Sequence, residues 1–355
     1  MILVVKMNIL RHMKTGRSLV YPFFVLLAGC VSNKSSTEYW DTFTGDVFGT
    51  TYHITVQQTG EYTHLDLQHG IDSVLEEVNQ VFSTYDSSTF LSAFNDNRLD
   101  EYAQKHENFK NQLSHFRTVW EVSQEVHQKT NGAFDPTAGP LFKAWGFAEE
   151  RHKQSPPEIS ELLGLTGMNK VIVELDTLYK TDSLVELNFN AVAKGYGVDA
   201  VGQFLTHQGM LNYMVEIGGE VRTKGVNRED TCWQIGINSP DEGMVSNSVF
   251  AVIELCGTSL ATSGNYRNFY FDSAGQVIGH TIDPSSGYPV IHSLKSASVI
   301  ANNCATADAY ATAFMVLGKE KSLRILERDS TIHGFLIFEK EGMDIVTEGS
   351  FNWKK

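Results

Sequence analysis

The sequence predicts an α+β domain, and three observations carry that expectation. Helix-period and strand-like segments both recur along the chain, yet they never settle into a strict βαβ alternation. No Gly-x-Gly-x-x-Gly follows a predicted strand, so the doubly wound Rossmann arrangement is not indicated. No repeat of 20–50 residues marks a solenoid or propeller.

In chain order, residues 46–57 alternate well enough for an early strand. Residues 65–82 set Leu67, Ile71, Val74, Leu75, Val78 and Phe82 on one face at helical spacing. A second helix fits residues 108–129, with Phe109, Leu113, Phe116, Trp120 and Val126 inward. Between them, 83–106 is rich in Ser, Asn and Asp and reads as irregular. Residues 131–147, NGAFDPTAGPLFKAWGF, read as a long apolar Gly/Pro loop, and loops of that length are more often functional than idle. Residues 150–160 read as a polar surface excursion. Strands are expected at 170–174, 184–189, 211–217, 232–237, 248–256 and 267–272, interrupted by a helix over about 191–208. The chain closes on a helix over 304–317, another to about 328, and strands near 332–338 and 343–347.

The 355 residues are 42% hydrophobic and 20% charged, enough for one large domain or two smaller ones. A formal charge of −14 argues against nucleic acid as a partner. An acidic protein that binds a phosphate ligand is expected to use a metal ion, because its own field repels anions.

Lys14 and Arg17 precede the apolar run SLVYPFFVLLAGC, residues 18–30, which is too short to span a bilayer comfortably. That is the form of an export signal. It ends in Leu27-Ala28-Gly29-Cys30, which resembles the lipobox of bacterial lipoproteins, where the cysteine is lipidated and becomes the mature N-terminus. The resemblance implies a signal peptide over 1–29, lipid on Cys30, a polar tether over 30–41 and a domain over 42–355. Met7 is an alternative start. Loss of residues 1–29 removes four cations and no acids, which takes the charge to −18. Cys232, Cys256 and Cys304 form no CxxC pair, so zinc is not expected. One disulfide can form among them in an oxidising envelope, and at least one thiol stays free.

Five polar segments carry chemistry. ATADAYAT, residues 305–312, puts Asp308 and Thr312 on one helix face among small residues. STYD (83–86) offers Tyr85 at a helix end. NFNAVAKGYGVD (188–199) presents Lys194 near a helix start beside two glycines. LATSGNYRN (260–268) and HTIDPSSGYP (280–289) are turn-rich and polar. An aromatic platform, a cation, hydroxyls, a histidine and carboxylates together suit a planar aromatic ligand that carries phosphates.

In order along the chain, these segments are similar to those of the ApbE family, the bacterial FAD:protein FMN transferases. The resemblance runs from about Gly45 to about residue 328. It includes GTTYHI (49–54), STYD (83–86), GAFDPTAGPLFKAWGF (132–147) and AVAKGYGVD (191–199). VEIGGEVRTKG (215–225), ATSGNYRN (261–268), HTIDPSSGYP (280–289) and ATADAYATA (305–313) complete it.

The resemblance implies an FAD-binding fold distinct from the Rossmann fold. It also implies an enzyme that cuts the FAD pyrophosphate with Mg²⁺ and moves FMN to a Ser or Thr of an exported redox protein, releasing AMP. It places Phe48, Tyr85, Ala133, Phe134, Asp135, Asn188, Lys194 and Ile282 at the FAD. It assigns Mg²⁺ to the Ala191 carbonyl, Asp308 and Thr312, and sets His280 and Asp283 near the reacting phosphate, where either can take a proton. An oxygen-only set of this kind suits Mg²⁺. Two positions depart from the family: Asn188 stands where relatives commonly have an acid, and Ala311 where some have one before the threonine. Weaker contacts to FAD and Mg²⁺ are expected from these changes. An FAD pyrophosphatase that hands FMN to water, or a lipoprotein that only holds FAD, would use the same residues. The implied partners are FAD, an exported flavin-acceptor subunit of an electron-transfer complex and, through lipid, a membrane of the cell envelope.

Overall fold

The computed structural model describes residues 39–58, 60–147, 158–174, 177–239, 249–264, 269–271, 277–340 and 343–350. The expected signal peptide, Cys30, most of the tether, residues 150–157 and residues 265–268 lie outside these ranges.

The described chain begins with a hairpin of β1 (Tyr39–Val47) and β2 (Thr50–Gln58) around the turn Phe48-Gly49. Both turn residues have positive φ, 52° and 73°, as a type I′ turn needs. The strand expected over 46–57 is therefore a turn and its second arm. The first arm starts at Tyr39, inside the stretch read as tether. β1 is an edge strand whose one fully buried apolar side chain is Phe43, so its sequence lacks the alternation that would reveal it.

Helix α1 (His64–Phe82) opens on a capping box between Thr63 and Asp66 and buries the expected stripe. The irregular 83–106 segment instead holds two short helices, α2 (Phe90–Asn95) and α3 (Leu99–Lys105). At six and seven residues they are too short to display a helical period. Thr89 caps the first, and Phe90, Leu91 and Phe94 anchor it. Helix α4 (Phe109–Lys129) follows as expected.

The 131–147 stretch is also more ordered than a loop. Asp135 caps a 3-10 turn (Pro136–Ala138), and α5 (Gly139–Trp145) runs on from it. Pro136 and Pro140 fall in first-turn positions that tolerate proline. After α6 (Ser160–Leu163) comes the small ribbon β3 (Val171–Glu174) and β4 (Thr177–Lys180). Residues 184–189 are not a strand. Val185, Leu187 and Phe189 do alternate inward, but Leu187 exchanges both backbone bonds with the Asn95 side chain at 2.8 and 2.9 Å. The Asn188 N–H goes to the Pro136 carbonyl. The period was right, and side chains replaced the ladder.

Next come α7 (Ala193–His207), β5 (Tyr213–Ile217), β6 (Glu220–Lys224) and the ribbon of β7 (Trp233–Asn238) with β8 (Val249–Leu255). Then follow β9 (Ser259–Gly264), β10 (Phe269–Phe271), β11 (Val277–Gly279) and β12 (Leu294–Ala301). The end is α8 (Cys304–Leu317), α9 (Lys319–Leu326), β13 (His333–Lys340) and β14 (Met343–Gly349).

Eight strands form one antiparallel sheet in the order β1-β2-β5-β6-β9-β12-β13-β14. Its two faces bury different layers. Tyr52, Ile54, Val56, Val215 and Ile217 face α1 and α7, while Ala261, Ala297 and Val299 face α8. On the other face Val221, Leu260, Ile300, Phe335 and Ile337 pack on the β7–β8 ribbon. A disulfide, Cys232–Cys256, closes that ribbon's end with Cα atoms 5.0 Å apart, and Cys304 is a buried free thiol. Among the described residues no helix is long and apolar enough to cross a membrane.

Candidate active site

Helices α7 and α8 meet on small residues, and their junction is where charge concentrates. A Cβ on Gly195 would lie 2.5 Å from the Cys304 carbonyl oxygen and 2.9 Å from the Asp308 Cβ. Only glycine permits that approach. The Gly195 N–H donates to Asp308 Oδ2 at 3.0 Å, so it does not reach back to Ala191 as a helical N–H would. The Ala191 carbonyl lies just ahead of α7, outside its ladder and available as a ligand.

The start of α8 is fixed by two side chains. Asn303 caps it by accepting the Thr306 N–H at 2.8 Å. Asp199, one turn beyond Gly195 on α7, accepts the N–H groups of Cys304 and Ala305, each at 2.9 Å. Arg222 of β6 also donates to Asp199. Three of the four orphan donors of α8 are thereby satisfied, and α7, α8 and β6 are locked together. Burial pushes the Asp199 carboxyl up, and Arg222 and the two N–H groups oppose that.

Lys194 reaches the β6 side of this junction. Its Nζ bonds Glu220 Oε1 at 2.8 Å. Burial draws the ammonium down, but Asp308 and Glu220 outweigh burial, so its pKa is raised. Burial raises Glu220, and the nearby Asp308 charge adds to that, while Lys194 opposes it. Burial likewise raises Asp308 against the pull of Lys194 and the Gly195 N–H. A cation at Asp308 would favour its ionised form.

Thr312, one turn along from Asp308, hydrogen-bonds Ser263 Oγ at 3.2 Å. Among the described residues no three His, Cys, Asp or Glu side chains gather into a metal cluster. The donors at hand are one carboxylate, one hydroxyl and one unused carbonyl, all oxygen. That set fits Mg²⁺, whose remaining positions suit phosphate oxygens and water.

The residues assigned to FAD fall into two groups. Phe48 sits at positive φ in the β1–β2 turn, an unusual conformation for a bulky residue. Its ring fills the space where a Cβ on Gly197 would stand, 2.6 Å away, which brings it against α7. Tyr85, just past α1, is 78% exposed, so its ring is open to a flat ligand. Ala133 and Phe134 are buried in the main core, which leaves their backbone to line a site. The Phe134 carbonyl bonds His127 Nδ1 at 2.8 Å. Asp135 spends Oδ1 on the Thr137 N–H and hydroxyl at 2.8 and 2.6 Å. Asn188 Oδ1 accepts the Asn190 N–H at 2.9 Å, a turn an aspartate would make equally well.

The 280–289 turn rests on another cluster. Ile282 is buried with Ala138, Leu141, Trp145 and Ile159, so its side chain is structural and its backbone is what a ligand could meet. Asp283 Oδ1 accepts the Ser285 N–H and hydroxyl at 2.8 and 2.7 Å, and Trp145 Nε1 donates to the Gly287 carbonyl at 2.8 Å. The His280 ring lies edge-on to Phe147, centroids 6.5 Å apart. The structure thus brings Lys194 and Asp308 together at one junction, with Ala191 just ahead of α7, Thr312 one turn along α8 and Phe48 against α7 at Gly197. It sets His280, Ile282 and Asp283 on a separate turn beside α5.

The comparisons with known proteins say which class this mixed fold belongs to. The ApbE family model matches residues 48–336, and the chain belongs to that family. Relatives named FAD:protein FMN transferase include that of Vibrio cholerae, 36% identical and covering 92% of this chain and 95% of its own length. That of Haemophilus influenzae is 35% identical, covering 88% and 90%. The solved flavin transferase ApbE of Vibrio cholerae superposes with a TM-score of 0.74 at 32% identity, covering 88% of this chain and 97% of the other. The flavinyl transferase ApbE of Pseudomonas stutzeri, in apo form, gives 0.72 at 29%, covering 88% and 94%. The α+β reading and the transferase class both stand.

Three residues of the junction escaped the sequence reading: Glu220, Asp199 and Arg222. A signal was present for two of them. Glu220 and Arg222 share one face of β6, and Glu220 pairs in register with the buried Ile217, so acid and base point into a covered layer.

Proposed function

We propose that this chain is a Mg²⁺-dependent FAD:protein FMN transferase that attaches FMN to a Ser or Thr of an exported redox protein and releases AMP. The observation that carries the reading is the Gly195 N–H bound to Asp308. It leaves the Ala191 carbonyl outside the α7 ladder, just ahead of the helix turn that meets Asp308, with Thr312 one turn further along α8 and Lys194 on that same turn of α7.

Asp308, Thr312 and the Ala191 carbonyl would hold Mg²⁺, which when bound neutralises charge on the pyrophosphate. Lys194, anchored by Glu220, supplies a fixed positive charge for phosphate oxygens. Tyr85 and Phe48 offer aromatic faces for the flavin or adenine ring. In the transfer, the acceptor hydroxyl oxygen bonds to the FMN phosphorus and the phosphorus–oxygen bond to AMP breaks. The hydroxyl proton goes to His280 or Asp283. Asp283→Asn keeps an acceptor for the Ser285 turn, so a loss of turnover with unchanged FAD affinity would assign Asp283 the proton. Wild-type turnover would leave the role to His280.

Export and lipid attachment through Cys30 belong to the same reading and place the enzyme on the periplasmic side of a membrane. The basic-then-apolar N-terminus and Leu27–Cys30 support it, as does the Cys232–Cys256 disulfide, a bond favoured in oxidising compartments. Cys30→Ser should abolish incorporation of labelled palmitate; undiminished labelling would contradict the anchor.

The activity test uses FAD, Mg²⁺ and a purified flavin-acceptor domain. Flavin fluorescence that stays on the acceptor after denaturation, with AMP formed, is the expected result. AMP with only free FMN would indicate hydrolysis instead, and bound FAD with no AMP would overturn both.

A further inference from the structure

Glu220 stands out as a buried acid with half of its bonding unused. It opens β6 directly after the Gly218-Gly219 turn, whose φ values of 60° and 104° suit glycine. That turn presses on the β1–β2 hairpin, since a Cβ on Gly218 would lie 2.8 Å from Thr50 Cγ2. The carboxylate is thereby driven under α7, where the residue is 3% exposed. Oε1 holds Lys194, but Oε2 is buried with no hydrogen-bond partner among the described residues.

Charge points the same way. Asp308 and Glu220 both act on Lys194, so two buried carboxylates share one ammonium. A buried carboxylate oxygen without a donor is costly, and the surplus negative charge calls for a cation. Nearby backbone donors are largely spent elsewhere: the Gly195 N–H is taken by Asp308 and those of Cys304 and Ala305 by Asp199. The N–H of Glu220 itself acts on its own carboxylate without giving Oε2 a hydrogen bond.

Resting on the metal reading above, we propose that Glu220 is a positioning residue of the metal centre. Its Oε2 accepts a hydrogen bond from a water on the cation held by Asp308 and Thr312, while Oε1 fixes Lys194. Glu220 then ties the two cations of the site, one metal and one ammonium, to a single strand end. Outer hydrogen-bond partners of this kind typically govern metal affinity about 10- to 100-fold.

The test is Mn²⁺ binding to full-length, FAD-free protein in detergent, followed by the electron paramagnetic resonance signal of free Mn²⁺. Glu220→Gln should weaken Mn²⁺ by about 10- to 100-fold. The paired comparison of Lys194→Met with Lys194→Met/Glu220→Gln removes the ion pair as a variable, and serves if Glu220→Gln alone misfolds. The double variant should again bind Mn²⁺ at least about tenfold more weakly than Lys194→Met. Mn²⁺ affinity within about twofold in both comparisons would overturn the role of Glu220 alone. Equal binding by wild type and Asp308→Asn, or none by wild type, would overturn the metal reading and this inference with it.

Discussion

The α7–α8 junction and the turns at 131–147 and 280–289 are built on opposite plans. At the junction, polar atoms find partners far away in sequence: Gly195 with Asp308 across 113 positions, and Cys304 with Asp199 across 105. In the turns the carboxylates look two residues along, Asp135 to Thr137 and Asp283 to Ser285, and the long-range ties, such as Trp145 to the Gly287 carbonyl, run to backbone carbonyls. The junction is therefore a charge site that three elements create jointly, and a shift in any one of them moves the others. The two turns lean on each other through Trp145 and Ile282, but their carboxylates hold only their own turns, so loss of one of those bonds is expected to stay local.

Breaking the junction should have the largest effects. Asp308→Ala should cut turnover at limiting Mg²⁺ by more than about 100-fold, beyond what outer partners of a metal ligand govern, while flavin binding persists. Kinetics across a Mg²⁺ series check this. Asp199→Ala strands Arg222 and two helix N–H groups. Breaking a buried pair costs about 3–5 kcal/mol, and the Arg222 side chain, 24% exposed, recovers some hydration, so urea unfolding should register about 3 kcal/mol.

Changes outside the junction should be smaller and confined. Tyr85→Ala should weaken FAD by about 0.5–1.5 kcal/mol, roughly 2- to 13-fold. Its midpoint of unfolding should not move, because the ring is exposed. Fluorescence titration and thermal melts read the two separately.

The smallest effect belongs to a brace behind α8. Burial works against the Asp329 carboxylate, but hydrogen bonds from Thr331 and Lys129 hold it down to about 2, against an ordinary value of 3.8. A depressed carboxyl pKa stabilises the fold above the ordinary value, and that stabilisation is lost as pH falls through the depressed one. Asp329→Asn should therefore melt lower than wild type by about 1–3 °C at pH 7. The gap should close between about pH 4 and pH 2. A gap that persisted at pH 2 would contradict the assignment.

The same contrast explains how much of the molecule could be read in advance. Local chemistry was legible: α1, α4, α7 and α8 lie within two residues of their expected bounds, the first two on helical periodicity. The helix that holds Asp308 and Thr312 was bounded correctly. Short helices such as α2 and α5, and strand β1 with one buried anchor, carry too few apolar repeats to announce themselves. Strand β12 was also missed, although Leu294, Ala297 and Val299 are buried, because Ser and Ala dilute its pattern. The site divides likewise. Asp308, Thr312 and Lys194 were visible through motif and family resemblance. Asp199, Arg222 and Glu220 gain their meaning from partners on other elements, which spacing along one segment does not encode. Gly195 stands in the sequence only as one of two glycines beside Lys194, and the Cys304 carbonyl opposite it gives the reason for it.

The most direct test of the account compares wild type with Asp308→Ala in FAD, Mg²⁺ and an acceptor domain, with AMP release and denaturation-resistant flavin fluorescence measured together. Wild type should yield both, and the variant neither at limiting Mg²⁺, although it still binds FAD. Equal AMP release by the two proteins would contradict the account.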